Sequence, residues 1–177
     1  MSENDNNVGK IDEDIVRFFI WAVWNFFQKQ SPIEPTVDPP YLFDRFKHDE
    51  YTGIIGVSGS QKGAVYFTMG KDMLDHIINT NYGKNIDPNT TEEDREHLRT
   101  DFAGEMANTV SGNVRNYLGE DFLISVPVVV KAGKTPLILP NKVTGIVFPI
   151  EWDGHRSHLV VALENSQLPD NDEFIMS

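Results

Sequence analysis

Twice along this chain an amphipathic helical pattern leads into a proline-bearing extended stretch and then into a β-hairpin, and that repeated order limits the fold more than any other feature. Ile11, Ile15, Phe18, Phe19, Ala22 and Phe26 recur at helical spacing. Asp12, Glu13 and Asp14 open the run, where the positive end of the helix dipole favours carboxylates. Ser31-Pro32 closes it, which predicts a helix over about residues 11–29. Pro39 and Pro40 confine the following stretch, 35–43, to an edge or a bulge. Residues 51–57 and 64–69 read as strands joined by the turn 58–63, and Met73, Ile77 and Ile78 mark a short helix. The second pass starts at Thr90 and Glu93, which stand at capping-box spacing. Its helix runs to about Leu118, with Gly119 as the C-cap. Phe122 to Val130, with Pro127 inside it, reads as a strand. Residues 143–150 and 158–163 then pair across Asp153-Gly154, a preferred tight-turn dipeptide. The expectation is an α+β fold: a mostly antiparallel sheet with two long helices packed on it, in two pseudo-repeated helix–strand–hairpin halves. Residues 11–164 form one domain, residues 1–10 a flexible N-terminus and residues 165–177 a loose polar tail.

Composition narrows the function classes. The formal net charge is −12 over 177 residues, a field that repels nucleic acid and anionic membrane surfaces and favours a partner with a basic face. Cysteine is absent, which removes disulfides, thiolate metal sites and cysteine nucleophiles together. The polar N-terminus has no secretory-signal pattern, and the apolar run from Ile15 to Phe27 is interrupted by Arg17 and is too short to span a bilayer. A cytoplasmic protein without a membrane role is the expectation.

The second long helix is not written as plain scaffold. At about 100° per residue, Leu98, Phe102, Met106, Val110, Val114 and Tyr117 fall on one face, widened by Ala103 and Ala107, and that face should lie on the sheet. Asp101, Glu105, Asn108 and Gly112 form a row nearly opposite. A polar row opposite a core face is ordinarily just solvated. Here Asn108 and Asn113 sit mid-helix, where Asn competes for backbone hydrogen bonds. Gly104 and Gly112 each cost about 1 kcal/mol relative to Ala. Small residues flanking Glu105 and Asn108 leave room for another protein, so Gly104 and Gly112 are assigned to a docking surface.

The stretch Asp101-Phe-Ala-Gly-Glu105-Met-Ala-Asn108, followed by Ser111-Gly112-Asn113 and later by Ile124-Ser-Val-Pro127, resembles the CheC/CheX/FliY family of chemotaxis phosphatases, whose pattern is Asp or Ser, three residues, Glu, two residues, Asn, then a strand Pro. The 18 residues (109–126) between Asn108 and Pro127 are about one helical turn fewer than in two-site CheC proteins, so the likeness is to CheX. Counting back the same interval from Pro39 or Pro40 reaches Ile20 or Trp21 rather than Asn, so one site per chain is expected. The resemblance implies a phosphatase for the aspartyl phosphate of a CheY-like response regulator. Asn108 would aim the attacking water, Glu105 would pair with the lysine beside the regulator's phosphorylated aspartate, and Asp101 would support them. It also implies a homodimer, no cofactor of the chain's own, and Mg2+ held by the regulator. The runner-up is a non-catalytic interaction module on the same fold, binding a regulator or signalling partner. A small-molecule-binding dimer is a third class.

Other signals are set aside. Gly56 to Gly63 looks like a phosphate loop, but Gln61 and Gly63 break the pattern and a strand follows, so a hairpin turn is expected. His155 and His158 lack a third ligand at metal spacing, and His48, His76 and His97 read as isolated; no metal site is assigned. Asp38, Asp44, Asp49 and Glu50 read as loop solvation, and the aromatics of the first helix as core or dimer packing.

Overall fold

The structure, a computed structural model, describes residues 13–43, 49–132, 143 and 145–164. Its order is α1 (Glu13–Gln30), β1 (Thr36–Val37), β2 (Tyr41–Phe43), β3 (Tyr51–Gly59), β4 (Gly63–Met69), α2 (Lys71–Tyr82), α3 (Glu92–Leu118), β5 (Phe122–Ile124), β6 (Val128–Lys131), β7 (Gly145–Trp152) and β8 (His155–Leu163). The expected α+β fold with an antiparallel sheet is what forms, carrying α2 as a third helix. The termini expected to be loose, 1–10 and 165–177, lie outside the described residues, as do Asp44 and His48.

All strand pairs are antiparallel, in the order β1-β7-β8-β4-β3-β5, with β2 beside β7 and β6 beside β3. This order exchanges the halves. The short strands after α1 pair with the second hairpin, and those after α3 pair with the first. The hairpins meet at β4–β8, where Val65 faces Val161. Neither half can therefore complete its part of the sheet alone.

One face of the sheet carries the main core. Phe19, Val23 and Phe27 from α1, Leu74 and Ile77 from α2, and Met106 and Val110 from α3 lie against Ile55, Phe67, Phe148 and Leu159. Tyr66, Val147 and Val160 form a smaller buried cluster apart from it, as the two-residue alternation of strands requires.

Several boundaries moved for identifiable reasons. The capping box is Thr91 with Asp94, one residue beyond the expected Thr90 with Glu93. Thr90 is committed elsewhere: its Oγ1 donates to the Asp87 carbonyl at 2.6 Å and its N–H donates there at 2.9 Å, closing a turn. The strand expected over 122–130 is broken. Ile124 is paired with Val57 and Val128 with Ile54, so three residues oppose two and the extra one makes a bulge. Pro127 has no N–H to offer the ladder, and Ser125 Oγ accepts from the Gly56 N–H at 2.9 Å. The second strand of the second hairpin starts at His155, three residues earlier than expected, because the two-residue turn needs positive φ only at Asp153 (48°) and Gly154 (78°). Glu50, expected to be solvated, accepts from the Lys71 N–H at 2.7 Å at the start of α2. His76, expected to be isolated, is 2.6 Å from Asp153, and its ring lies tilted 5.0 Å from that of His155, which is 3.1 Å from Asp72.

α3 is seated by two close approaches. A Cβ added at Gly53 of β3 would stand 2.5 Å from the Ala103 carbonyl oxygen and 2.7 Å from Ala107 Cβ. The helix backbone therefore rests directly on the strand. Around the N-terminal half of α3 an ionic network replaces apolar packing. Arg99, 1% exposed, donates from Nε and Nη2 to both oxygens of Asp75 at 2.7 and 3.0 Å, and from Nη1 to Glu92 at 2.8 Å and Glu96 at 3.2 Å. Glu96 also accepts from Tyr51 Oη on β3 and pairs with Lys131 on β6. The network thus ties α2, β3 and β6 to α3. Hydrogen bonds from Lys131 and Tyr51 hold Glu96 down at about 2, those from Arg99 and Lys71 hold Glu92 down at about 2, and burial with the Glu96 bond pushes Tyr51 up to about 12.

Two outcomes follow. Gly53→Ala should lower stability by about 1–3 kcal/mol or more in a urea titration, because the obstacle is helix backbone that must shift. Glu92 and Glu96 ionise more readily when folded, so their contribution is complete above about 4.5 and fades as pH falls toward about 2. Denaturation midpoints measured across that window should fall in the wild type and fall less steeply in Glu96→Gln.

Candidate functional site

α3 is a 27-residue helix started by the Thr91–Asp94 box and closed at Gly119, whose N–H donates to the Arg115 carbonyl. Of the expected core face, Phe102, Met106, Val110 and Val114 are buried along with Ala103 and Ala107. Both ends of that face differ. Leu98 is 39% exposed, and its neighbour Arg99 takes the buried place because Asp75, Glu92 and Glu96 satisfy its guanidinium. Tyr117 is 50% exposed, its ring stacked at 5.0 Å on Phe18 and set edge-on at 4.8 Å to Trp21.

The opposite row is where the helix geometry puts it. Asp101, Glu105 and Asn108 are exposed, and their side chains have no hydrogen-bond or ion-pair partner among the described residues. Glu105 and Asn108 are three apart, so their Cβ atoms are about 5–6 Å from one another on consecutive turns. A carboxylate, an acceptor when ionised, thus stands beside an amide that both donates and accepts, neither of them committed among the described residues. The described residues include no cluster of three or more His, Asp or Glu that could hold a metal.

The two glycines do different things. Gly112 is half-buried with nothing within 4 Å of where its Cβ would be, so it does leave open space at the end of the row. Gly104 is buried rather than surface-forming. A Cβ there would lie 3.3 Å from Val129 Cγ2 and 3.5 Å from Pro127 Cβ, so its smallness lets β6 and the bulge close against α3. That contact brings an exposed apolar stretch, Val126 (79% exposed), Pro127 and Val128 (57% exposed), beside the turn that carries Glu105. Pro127 was visible in the sequence as a motif element. Its packing on Gly104 was not, because the two lie on different elements whose meeting depends on the β3–β6 pairing. Among the described residues of the first half, Trp21 is exposed and Ile20 half-buried where the repeat would place a site.

No helix among the described residues is long and apolar enough to cross a membrane. No curated protein matches the chain in sequence. Solved structures share its fold. A CheX from Desulfovibrio desulfuricans superposes with a TM-score of 0.72 at 22% identity, covering 85% of this chain and 99% of that one. A CheX from Vibrio vulnificus gives 0.70 at 23%, covering 85% and 99%. CheX in the CheX–CheY–BeF3–Mg2+ complex from Borrelia burgdorferi gives 0.71 at 18%, covering 85% and 98%. The family model described as chemotaxis phosphatase CheX matches residues 51–151, from β3 through the whole of α3 and into β7, and the chain belongs to that family.

Proposed function

We propose that this protein hydrolyses the aspartyl phosphate of a CheY-type response regulator, with Asn108 and Glu105 as the working residues. The observation that carries the reading is the pair itself: two uncommitted side chains on consecutive turns of a helix whose backbone is pinned to the sheet. Membership of a family described as a chemotaxis phosphatase supports it, as does the existence of a CheX bound to CheY with BeF3 and Mg2+ on a chain of the same fold.

An acyl phosphate is already reactive, so the catalyst has only to place a water in line and tolerate the charge of the transition state. The water oxygen bonds to phosphorus as the bond from phosphorus to the aspartate oxygen breaks. Aspartate leaves as carboxylate, and the water proton passes to a phosphate oxygen. An amide is not a base at neutral pH, so Asn108 acts by hydrogen-bonding the water and aiming it, as a positioning Gln does in GTPases. Glu105 accepts hydrogen bonds from the regulator's lysine, which docks α3 and sets the position of Asn108. Magnesium in this reading is held by the regulator's own carboxylates. The reading carries with it a cytoplasmic site of action and, by likeness to the family, a pair of chains with one site each.

Rigid support suits this chemistry. Misplacing the water by about 1 Å costs on the order of 10²-fold in rate, and Gly53 and Gly104 leave α3 little room to shift.

Asn108→Ala should return regulator dephosphorylation to the unassisted rate. The same variant should unfold no more easily than wild type, since Ala is the better helix former by up to about 0.7 kcal/mol. Following phosphoryl loss from a CheY-type regulator, beside a thermal melt, checks both; a wild-type rate in Asn108→Ala overturns the assignment.

A further inference from the structure

N-terminal to Glu105 the same side of α3 borders an open groove of about 600 Å³ between α3 and the segment that follows α2. Tyr82, Ile86 and Leu98 supply its apolar lining, and Asp87, Asp94 and Asp101 its carboxylates. Tyr82 is 47% exposed and Leu98 39%, so both present apolar surface to solvent. The lining holds no Lys or Arg; its one side chain able to carry positive charge is His97.

The carboxylates are not equivalent. Asp94 is bound into the helix cap, where hydrogen bonds from Thr91 hold its carboxyl below the usual range. Asp87 accepts from the Asn89 N–H at 2.8 Å. Asp101 has no partner among the described residues. At about 100° per residue, Asp94, His97, Asp101, Glu105 and Asn108 share one stripe about 80° wide. The groove is therefore continuous with the row proposed to act on phosphate. With a rise of about 1.5 Å per residue, Asp101 lies about 10 Å from Asn108 along the axis.

An uncommitted carboxylate beside an exposed phenol ring and an exposed Leu matches one kind of guest: a cation on an apolar stem, whose stem packs on Leu98 and whose charge meets Asp101 and the face of Tyr82. We propose that this groove receives a second basic side chain, a Lys or Arg, of the response regulator, about 10 Å along the helix from Asn108, and that Asp101 pairs with it. The identity of the guest's protein rests on the phosphatase reading above; the chemistry of the groove does not. Asp101 is in this account a docking residue, and the groove sets which regulators the enzyme accepts.

The test is the affinity for a CheY-type regulator activated with beryllium fluoride and Mg2+, chosen for binding the wild type, beside steady-state dephosphorylation of the phosphorylated form. Asp101→Asn should weaken binding roughly two- to fivefold at low salt, and the difference should vanish at high salt. Leu98→Ala should weaken it by a similar factor at both salt concentrations. Both should raise KM with kcat within about twofold of wild type. Each side chain is exposed, and thermal melts near wild type confirm that the fold is intact. Unchanged affinity in both variants overturns the proposal, and so does a fall in kcat at unchanged KM, which would put Asp101 in the chemistry. The phosphatase reading fails separately, by a wild-type rate in Asn108→Ala; salt-dependent loss of binding in Asp101→Asn would then leave the groove as the docking site of a binding module.

Discussion

The contact of α3 with β3 at Gly53 is the constraint on which the rest of this structure depends. No side chain separates strand and helix there: the Ala103 carbonyl and the Ala107 methyl occupy the space a Cβ would need. Gly104 leaves the room that Val129 of β6 and Pro127 of the bulge occupy, since a Cβ there would stand 3.3 Å from Val129 and 3.5 Å from Pro127. Two glycines, one on each element, thus bring helix and sheet together at the turn that carries Glu105. Dispersion and apolar burial reward that proximity, and the backbone entropy lost at Gly104 is its cost. A helix held this closely has little freedom to rotate, so the direction of Glu105 and Asn108 is set by packing rather than by hydrogen bonds of their own.

The exchange of strands between the halves serves the same end. β6 belongs by sequence to the second half, yet it pairs with β3 of the first. The helix with the functional row is thereby flanked by its own bulge and seated on the other half's hairpin. Were β6 to pair within its own half, Pro127 would not reach Gly104. The bulge at Ser125 to Pro127 interrupts the pairing with β3 beside the helix, and the Ser125 hydroxyl, accepting from Gly56 and donating to the Val126 carbonyl, takes up hydrogen bonds that the ladder loses.

The Arg99 network shows why a helical wheel is an incomplete guide. Leu98 and Arg99 are adjacent, and hydropathy assigns Leu98 to the core. The structure buries Arg99 because Asp75 on α2 and Glu92 and Glu96 on α3 converge on it. Glu92 and Glu96 precede Arg99 by seven and three residues, a spacing that can be read on the helix. Asp75 arrives only when α2 packs against α3. Leu98, displaced from the core, is left to line the groove beside Tyr82. A pairing across elements thus decides both what is buried and what is offered to a partner.

The sequence by itself determined the elements and the row. Periods of two and of 3.6, proline positions, the cap at Gly119 and the turn at Asp153-Gly154 are local properties, as is the alignment of Asp101, Glu105 and Asn108 on one side of α3, because a helix repeats without reference to the rest of the chain. The short motif was legible for the same reason. Only the tertiary structure decided the rest: that Gly104 is packed rather than presented, that Arg99 is inside and Leu98 outside, that the expected strand breaks before Pro127, and that a groove adjoins Asp101. Each of these depends on which strand and which helix come together. That choice is made by burial summed over the whole fold, and no window of sequence contains it.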